Sequence, residues 1–499
     1  MHIENATLKQ LDLHNVVQET LTQSFDHFPP LIFDRCLQNS SEAIAKHISS
    51  VYASGGRIPA EVITMPRKGF GPRPISLTTL AARTLYAALV KAIDNDLPPL
   101  SRATGNWDRH RRFGLEGQHD YVVELDIASC YEYIDHAQLQ DELMIRSMNR
   151  NVSTTLSRYL EEILGRSRGL PQMLLASDRL ADAYLSILER RLSRDGHIMS
   201  RYVDDFRVGA SNWEEANTVI EQAAEYARDL GLTLSSEKTL IFKRETLIDQ
   251  DREDAEFFNY YFANAKAALT QIFYVASDYE EVEEVSIEPE EKIAGQAAAR
   301  AILSDLHRLM KDPTTSPQPP YIRFIPKALA TLQDDTYRLD DDLLIDIVFE
   351  YPNRIEQVTR YLLGRASHAT SENHLESIAK LASMGRQSPW SKLWVLHATE
   401  MLTWQGANRP ESLTKWVMQQ MGDRHETVRA EAAWVCSTFG LLSPDWASYL
   451  YKNASPITQP ALAAAVTRQS GLPNSLRRGI QDDSPLNREA SKWSGGAPS

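Results

Sequence analysis

His197-Ile198-Met199-Ser200-Arg201-Tyr202-Val203-Asp204-Asp205-Phe206-Arg207-Val208 reads as two short strands of β-branched and aromatic residues meeting at a tight acidic turn. Two adjacent carboxylates at a hairpin tip repel each other, so both stay ionised only where something cancels their charge. A divalent cation does this, and Mg²⁺ takes carboxylate oxygens together with substrate phosphates. The plain alternative is an Asp-Asp pair in an ordinary surface turn, and a Tyr-x-Asp-Asp string alone is a weak motif. A third carboxylate upstream on its own strand distinguishes the two.

Tyr121-Val122-Val123-Glu124-Leu125-Asp126-Ile127 supplies it. The run is nearly continuous in β-branched residues, as in a buried strand, and Asp126 lies near its end. A buried strand rarely carries an Asp unless it is paired or metal-bound. The alternative is a cap for the helix expected over Ala137 to Met148. Asp126 with Asp204 and Asp205 is the set a two-metal phosphoryl-transfer site needs: one ion lowers the pKa of an attacking hydroxyl, the other holds the triphosphate. The chain has no P-loop, Gly-x-Ser-x-Gly or His-Glu-x-x-His to rival it.

Upstream, Ile63 to Leu77 reads as strand, Gly/Pro-rich turn and strand, a hairpin carrying Arg67, Lys68 and Arg73. Between Arg102 and Phe113, Arg102, Arg109, Arg111 and Arg112 alternate with Trp107, His110 and Phe113. Basic residues interleaved with aromatics suit a nucleic-acid or nucleotide surface; a solvated basic loop is the alternative. Residues 1 to 60 are mostly helical by period, with no chemistry of their own. Downstream of Asp126, Gly169-Leu170-Pro171-Gln172 sets a turn ahead of a long helix through Leu180, Tyr184, Leu188 and Leu192. Leu232 to Thr239 gives a turn, a short strand and a lone Lys238, and Phe257-Phe258-Asn259-Tyr260-Tyr261-Phe262 reads as an aromatic strand.

With 499 residues, 42% hydrophobic and 24% charged, the chain suits two or three domains. No apolar run approaches a membrane span and no signal peptide is evident, so a cytoplasmic protein with no membrane partner is expected. Cys36, Cys130 and Cys436 lie far apart, as expected of buried side chains in a reducing compartment. A net charge of -14 argues against broad nucleic-acid coating but leaves room for a local basic channel.

An acidic run from Asp278 to Lys292 and a Pro-rich break from Pro313 to Pro320 mark a linker over 273–327. Beyond it, helices are expected at Leu343 to Glu350, Ile355 to Leu363, Leu375 to Met384, Leu393 to Trp404, Leu413 to Met421 and Val428 to Phe439. Paired helices of this length suggest an α-solenoid of HEAT type over 328–499.

The order of motifs over residues 61 to 265 resembles the fingers and palm of a reverse transcriptase. Met65-Pro66-Arg67-Lys68-Gly69 through Arg73-Pro74-Ile75 is similar to the fingers hairpin of retron and group II intron enzymes. Asp126 to Tyr131 resembles motif A; Gly169-Leu170-Pro171-Gln172 with Ser177, motif B; Tyr202-Val203-Asp204-Asp205, motif C; Leu232 to Thr239, motif D; and Phe257 to Phe262, the primer-grip strand. The expected fold is therefore α+β: N-terminal helices (1–60), fingers and palm (61–272), then the linker and an all-α HEAT-like domain.

The resemblance implies that Asp126, Asp204, Asp205 and the Ile127 carbonyl bind two Mg²⁺ ions, for which Mn²⁺ can substitute. Arg73 would clamp the triphosphate, with Arg67 or Lys68 assisting. Tyr131 stands where the family keeps the aromatic that blocks a ribose 2′-OH, which makes the substrates dNTPs. Gln172 would touch the incoming nucleotide, and Lys238 would protonate the leaving pyrophosphate. One departure is Met173, where the family usually has Gly after Pro-Gln. A polymerase core followed by helical repeats is similar to the bacterial abortive-infection reverse transcriptases of the AbiA, AbiK and P2-prophage type. That resemblance implies anti-phage defence, untemplated and protein-primed synthesis, and a homo-oligomer; the acidic site, the lack of a recognisable thumb and Met173 together suggest a DNA product attached covalently to the protein. Synthesis templated by a bound non-coding RNA, and a degenerate palm serving as a binding scaffold, are the alternatives.

Overall fold

The structure, a computed structural model, describes every residue except 24, 68–70, 117–118, 277–281, 369–373, 405–408 and 497–499; at 254, 271–276, 282–287, 367–368 and 404 it describes the backbone alone. An α/β region is followed by a largely helical one, the order the sequence leads one to expect. Two compact units result. Met1–Met65, Arg73–Ile248 and Val417–Ser499 form the first; Pro66–Pro72 and Asp249–Trp416 form the second.

Strands β1 (Ala60–Pro66) and β2 (Pro72–Thr78) pair as a two-stranded sheet. Strands β3 (Tyr121–Asp126), β4 (Met199–Tyr202), β5 (Asp205–Ala210) and β6 (Leu240–Lys243) make a four-stranded sheet in the order β4-β5-β3-β6. Every neighbouring pair in that sheet is antiparallel. Neighbours Val122 and Val123 are both buried, so both faces of β3 are covered there, which is why its sequence shows a run and not an alternation. The helix Trp213–Asp229 packs on β3 and β5 through a stripe of small residues, Ala216, Val219, Ala223 and Ala227. The helix Leu175–Arg194 packs on that helix and is buried along Leu180, Tyr184, Leu188 and Leu192.

The first unit also joins distant parts of the chain. Helices Glu426–Thr438, Gln459–Arg468 and Pro485–Gly496 pack on N-terminal helices Ile32–Arg35 and Ser41–Ala53. The Ile32 N–H donates to Glu431 at 2.5 Å. Glu61 accepts from the Glu426 and Thr427 amides at 2.7 and 3.0 Å, capping the helix from outside it.

In the second unit, Phe257–Phe262 is not the expected strand: it lies within the helix Arg244–Leu269. Its rings pair at helical spacing, Phe257 with Tyr261 at 5.3 Å and Phe258 with Phe262 at 5.8 Å. A short apolar run fits strand and helix equally well, and here four-residue pairing against Ala298 and Ile302 decides. Residues 273–327, read as a linker, carry most of the hairpin of β7 (Gln271–Ala276) with β8 (Val282–Ile287), and the helices Glu291–Lys311 and Pro319–Thr331. The first of these helices buries Ala294, Ala298, Ile302 and Leu306 at a four-residue step, a stripe masked in sequence by its acidic start. Helices Asp341–Glu350, Ile355–His368, His374–Ala382, Pro389–Trp404, Glu411–Gln420 and Glu426–Thr438 lie where the apolar period places them.

Candidate active site

Sheet register assembles the acidic site. Asp126, the last residue of β3, is the direct partner of Asp205, the first residue of β5, and Asp205 also faces Tyr202 of β4. Val203 and Asp204 are the two loop residues between Tyr202 and Asp205. Val203 has φ 57°, the left-handed region, at the first loop position, where glycine is usual. For a β-branched residue this costs about 1–2 kcal/mol. Asp126 does not cap the following helix: Asp135 does, accepting from the Gln138 amide at 2.9 Å.

Burial pushes the Asp205 carboxyl up to about 7, with the charges of Asp204 and Asp126 adding to the effect. Burial also raises Asp204, partly offset by a backbone hydrogen bond and reinforced by Asp126. Lys238 donates to Asp126 Oδ1 at 2.8 Å, so the segment read as motif D meets the one read as motif A. Burial works against the Lys238 charge, but its hydrogen bond to Asp126 and the three carboxylates outweigh this and raise its pKa. A cavity of about 260 Å³ opens beside these groups, lined by Asp126, Asp205, Lys238, Trp107 and His110. Trp107 is half exposed and packs edge-on against Tyr202 at 5.1 Å. The basic segment carrying it is a helix, Asn106–Glu116, packed on β4. Among the described residues no group of three or more His, Cys, Asp or Glu is arranged as a metal cage. The donor set itself, Asp126 beside two carboxyls whose charge burial and the neighbouring acids disfavour, Asp204 and Asp205, suits a hard divalent cation.

Motif B is held against the segment after motif A. The Leu170 amide donates to the Tyr131 carbonyl at 2.7 Å, and the Gly169 amide to the Ile134 carbonyl at 2.8 Å. His136 Nε2 donates to the Gly169 carbonyl at 2.7 Å, which fixes its tautomer. The Tyr131 hydroxyl donates to Asp178, which Arg102 approaches at 3.2 Å. Burial and Asp178 raise the phenol well above its ordinary range. Gln172 donates to Glu132 at 2.9 Å, so it is engaged within the protein. Met173 has φ 66° and brings its sulfur within 4.0 Å of Arg73 Nη1. Met173 thus holds a backbone conformation that favours Gly. Ser177 pairs with the Tyr86 hydroxyl at 3.0 Å.

Ile127 is buried; the bonds flanking its bridge to Leu234 are made by Asp126 O and Ala128 N. Arg67 is exposed in the segment Pro66–Pro72, which groups with the second unit, and Lys68 lies outside the described residues. Ser101, Asp182 and Arg201, to which no sequence motif gives a role, hold the Val203 loop. The available signal was Asp182 itself, an acid among the buried positions of an apolar helix face.

Residues 65–260 match the family described as "Reverse transcriptase (RNA-dependent DNA polymerase)". A reverse-transcriptase-like domain is present. The α/β region of the reverse-transcriptase-like domain carries the fingers-and-palm elements, and the helical region follows it. None of the curated proteins matches the chain. Among solved structures, telomerase from Candida albicans in complex with a TWJ fragment of telomeric RNA is similar over 76% of this chain, at 11% identity and a TM-score of 0.27. The chain spans 66% of that structure's length.

Proposed function

We propose that this chain is a DNA polymerase of reverse-transcriptase type, joining dNTPs in bacterial anti-phage defence of the abortive-infection kind. Synthesis on this reading is untemplated and primed from a protein hydroxyl, the product stays attached to the protein, and the enzyme works as a cytoplasmic homo-oligomer with HEAT-like repeats. The carrying observation is the meeting of Asp126, Asp204, Asp205 and Lys238 within a reverse-transcriptase-like domain.

Asp126, Asp204 and Asp205, with the Ile127 carbonyl, would hold two Mg²⁺ or Mn²⁺ ions. When bound, such ions lower the pKa of the attacking hydroxyl and offset triphosphate charge. Lys238 leaves Asp126 and faces the pyrophosphate, to which it gives a proton; its side chain is 67% exposed and free to swing. Arg73, beside Met173, clamps the triphosphate. Tyr131, oriented through Asp178, presents its ring to the sugar and excludes a 2′-hydroxyl. Gln172 reaches the nucleotide on release from Glu132.

Purified, RNase-treated protein given a single dNTP with Mg²⁺ and no nucleic acid should gain mass in whole units of nucleotide. Asp204→Asn with Asp205→Asn should reduce this at least about a thousandfold with the fold intact. Incorporation that needs added or bound RNA would favour the templated alternative, to which the matched family's description lends support. A double variant as active as the parent would sink the site assignment.

A further inference from the structure

The loop that presents Asp204 and Asp205 is held by a closed circuit of hydrogen bonds. The Val203 N–H donates to Ser101 Oγ at 3.2 Å, and the Ser101 N–H donates to Asp182 Oδ2 at 2.8 Å. The other oxygen of Asp182 accepts from Arg201 Nη1 at 2.7 Å, and the same nitrogen donates to the Val203 carbonyl at 3.0 Å. Both polar groups of Val203 are thus tied, by two separate arms, to one carboxylate. The side chains of Asp182 and Arg201 are 2% and 6% exposed. Glu189 takes the Arg201 Nε at 3.0 Å and fixes the plane of the guanidinium.

A buried ion pair is poor evidence of net stabilisation; its best-supported use is to select one geometry over another. The geometry selected here is the φ of 57° at Val203, which a β-branched residue disfavours. A two-residue loop has few soft dihedrals. Relaxing Val203 to negative φ turns a neighbouring peptide unit and re-aims the Asp204 carboxylate.

We infer that Asp182 is a positioning residue: through Ser101 and Arg201 it holds Val203 in the left-handed conformation that sets Asp204 and Asp205 against Asp126. The inference rests on the reading of these carboxylates as the active site, but its test does not depend on that reading. Asp182 lies on the helix that starts with motif B, so one rigid element fixes both the nucleotide loop and the acidic turn.

The test is amide hydrogen exchange in peptides covering residues 202–206, for Asp182→Asn and for Ser101→Ala, which removes one arm only. Exchange at the tip should accelerate about tenfold or more while β3 amides hold their rates. Adding Val203→Gly, which accepts positive φ without a brace, should return the tip to within roughly twofold of the parent. Turnover should follow the same pattern, lost in Asp182→Asn at unchanged KM for dNTP and recovered in the double variant. An unchanged tip in both single variants overturns the inference, as does a failure of Val203→Gly to rescue. If Asp182→Asn does not fold, Ser101→Ala gives the same reading. Exchange that behaves as expected in a parent protein that incorporates no nucleotide would overturn the proposed activity and leave the brace standing.

Discussion

Asp205 holds a proton in the folded chain at a pH where an exposed carboxyl has lost it, because burial and two neighbouring acids disfavour its charge. The sign of the stability effect follows. With a folded pKa near 7 and an unfolded value near the usual carboxylate range of about 4, its contribution is full below about pH 4 and is lost as pH rises towards 7. In metal-free protein, Asp205→Asn should therefore raise the melting temperature by a few degrees at pH 8 and by much less at pH 5. Scanning calorimetry at the two pH values checks this. Saturating Mg²⁺ should remove the pH dependence in the parent, because a bound cation replaces the proton; a gain equal at both pH values would mean that Asp205 titrates normally. The residues brought together here were legible in sequence to different degrees. Asp126, Asp204, Asp205 and Lys238 stand in short motifs whose order fixes which strands meet. Ser101 and Asp182 have no such neighbours, and their meeting with Val203 depends on packing across 102 residues or fewer that no local pattern records.

At the level of elements, period gave the helices and register gave the hairpin, while apolar runs without a period were ambiguous. The two-residue turn sets the register of β4 on β5 only; Asp126 comes opposite Asp205 because β3 and β5 must bury their apolar faces together, and a slip of one residue would turn every side chain to the wrong face. Phe257 to Phe262 carries no alternation and no breaker, and the helix Glu291–Lys311 against it supplies the deciding contacts. Tyr261 is 8% exposed and donates to Asp305 at 2.6 Å, with the Tyr321 hydroxyl 2.8 Å away. Tyr261→Phe keeps the ring packing and removes the donor to Asp305 Oδ2, while Asp305 Oδ1 keeps Arg308 at 3.0 Å. Urea unfolding should show a loss of about 0.5–1.5 kcal/mol. A neutral result would mean that the aromatic packing alone holds this helix pair together.

For the molecule as a whole, the first unit is assembled from three separate stretches of chain, with residues 249–416 inserted between the last two. Glu61 caps the helix Glu426–Thr438, Glu431 receives the Ile32 amide, and the Arg35 guanidinium lies 6.0 Å from the Trp493 ring centre. No sequence feature announces this closure, because capping from a distant residue leaves the helix start without its own side-chain cap. Glu61→Ala should cost about 1–2 kcal/mol, as loss of a helix cap does. A chain ending at residue 416 should lose the cooperative unfolding transition of the palm altogether. A truncated protein that melts as sharply as the parent would show that the C-terminal helices are dispensable to the first unit.

The bond from Ile32 to Glu431 spans 399 residues. On a ribosome adding roughly 5–20 residues per second, the N-terminal helices wait on the order of twenty seconds or more for that partner. During this interval the surface of Ile32–Arg35 that the C-terminal helices cover in the finished protein stays open, although Arg83 can already lie over the Phe33 ring. The nascent chain should thus benefit from holding chaperones, and its yield in the cell should depend on translation speed through the inserted segment.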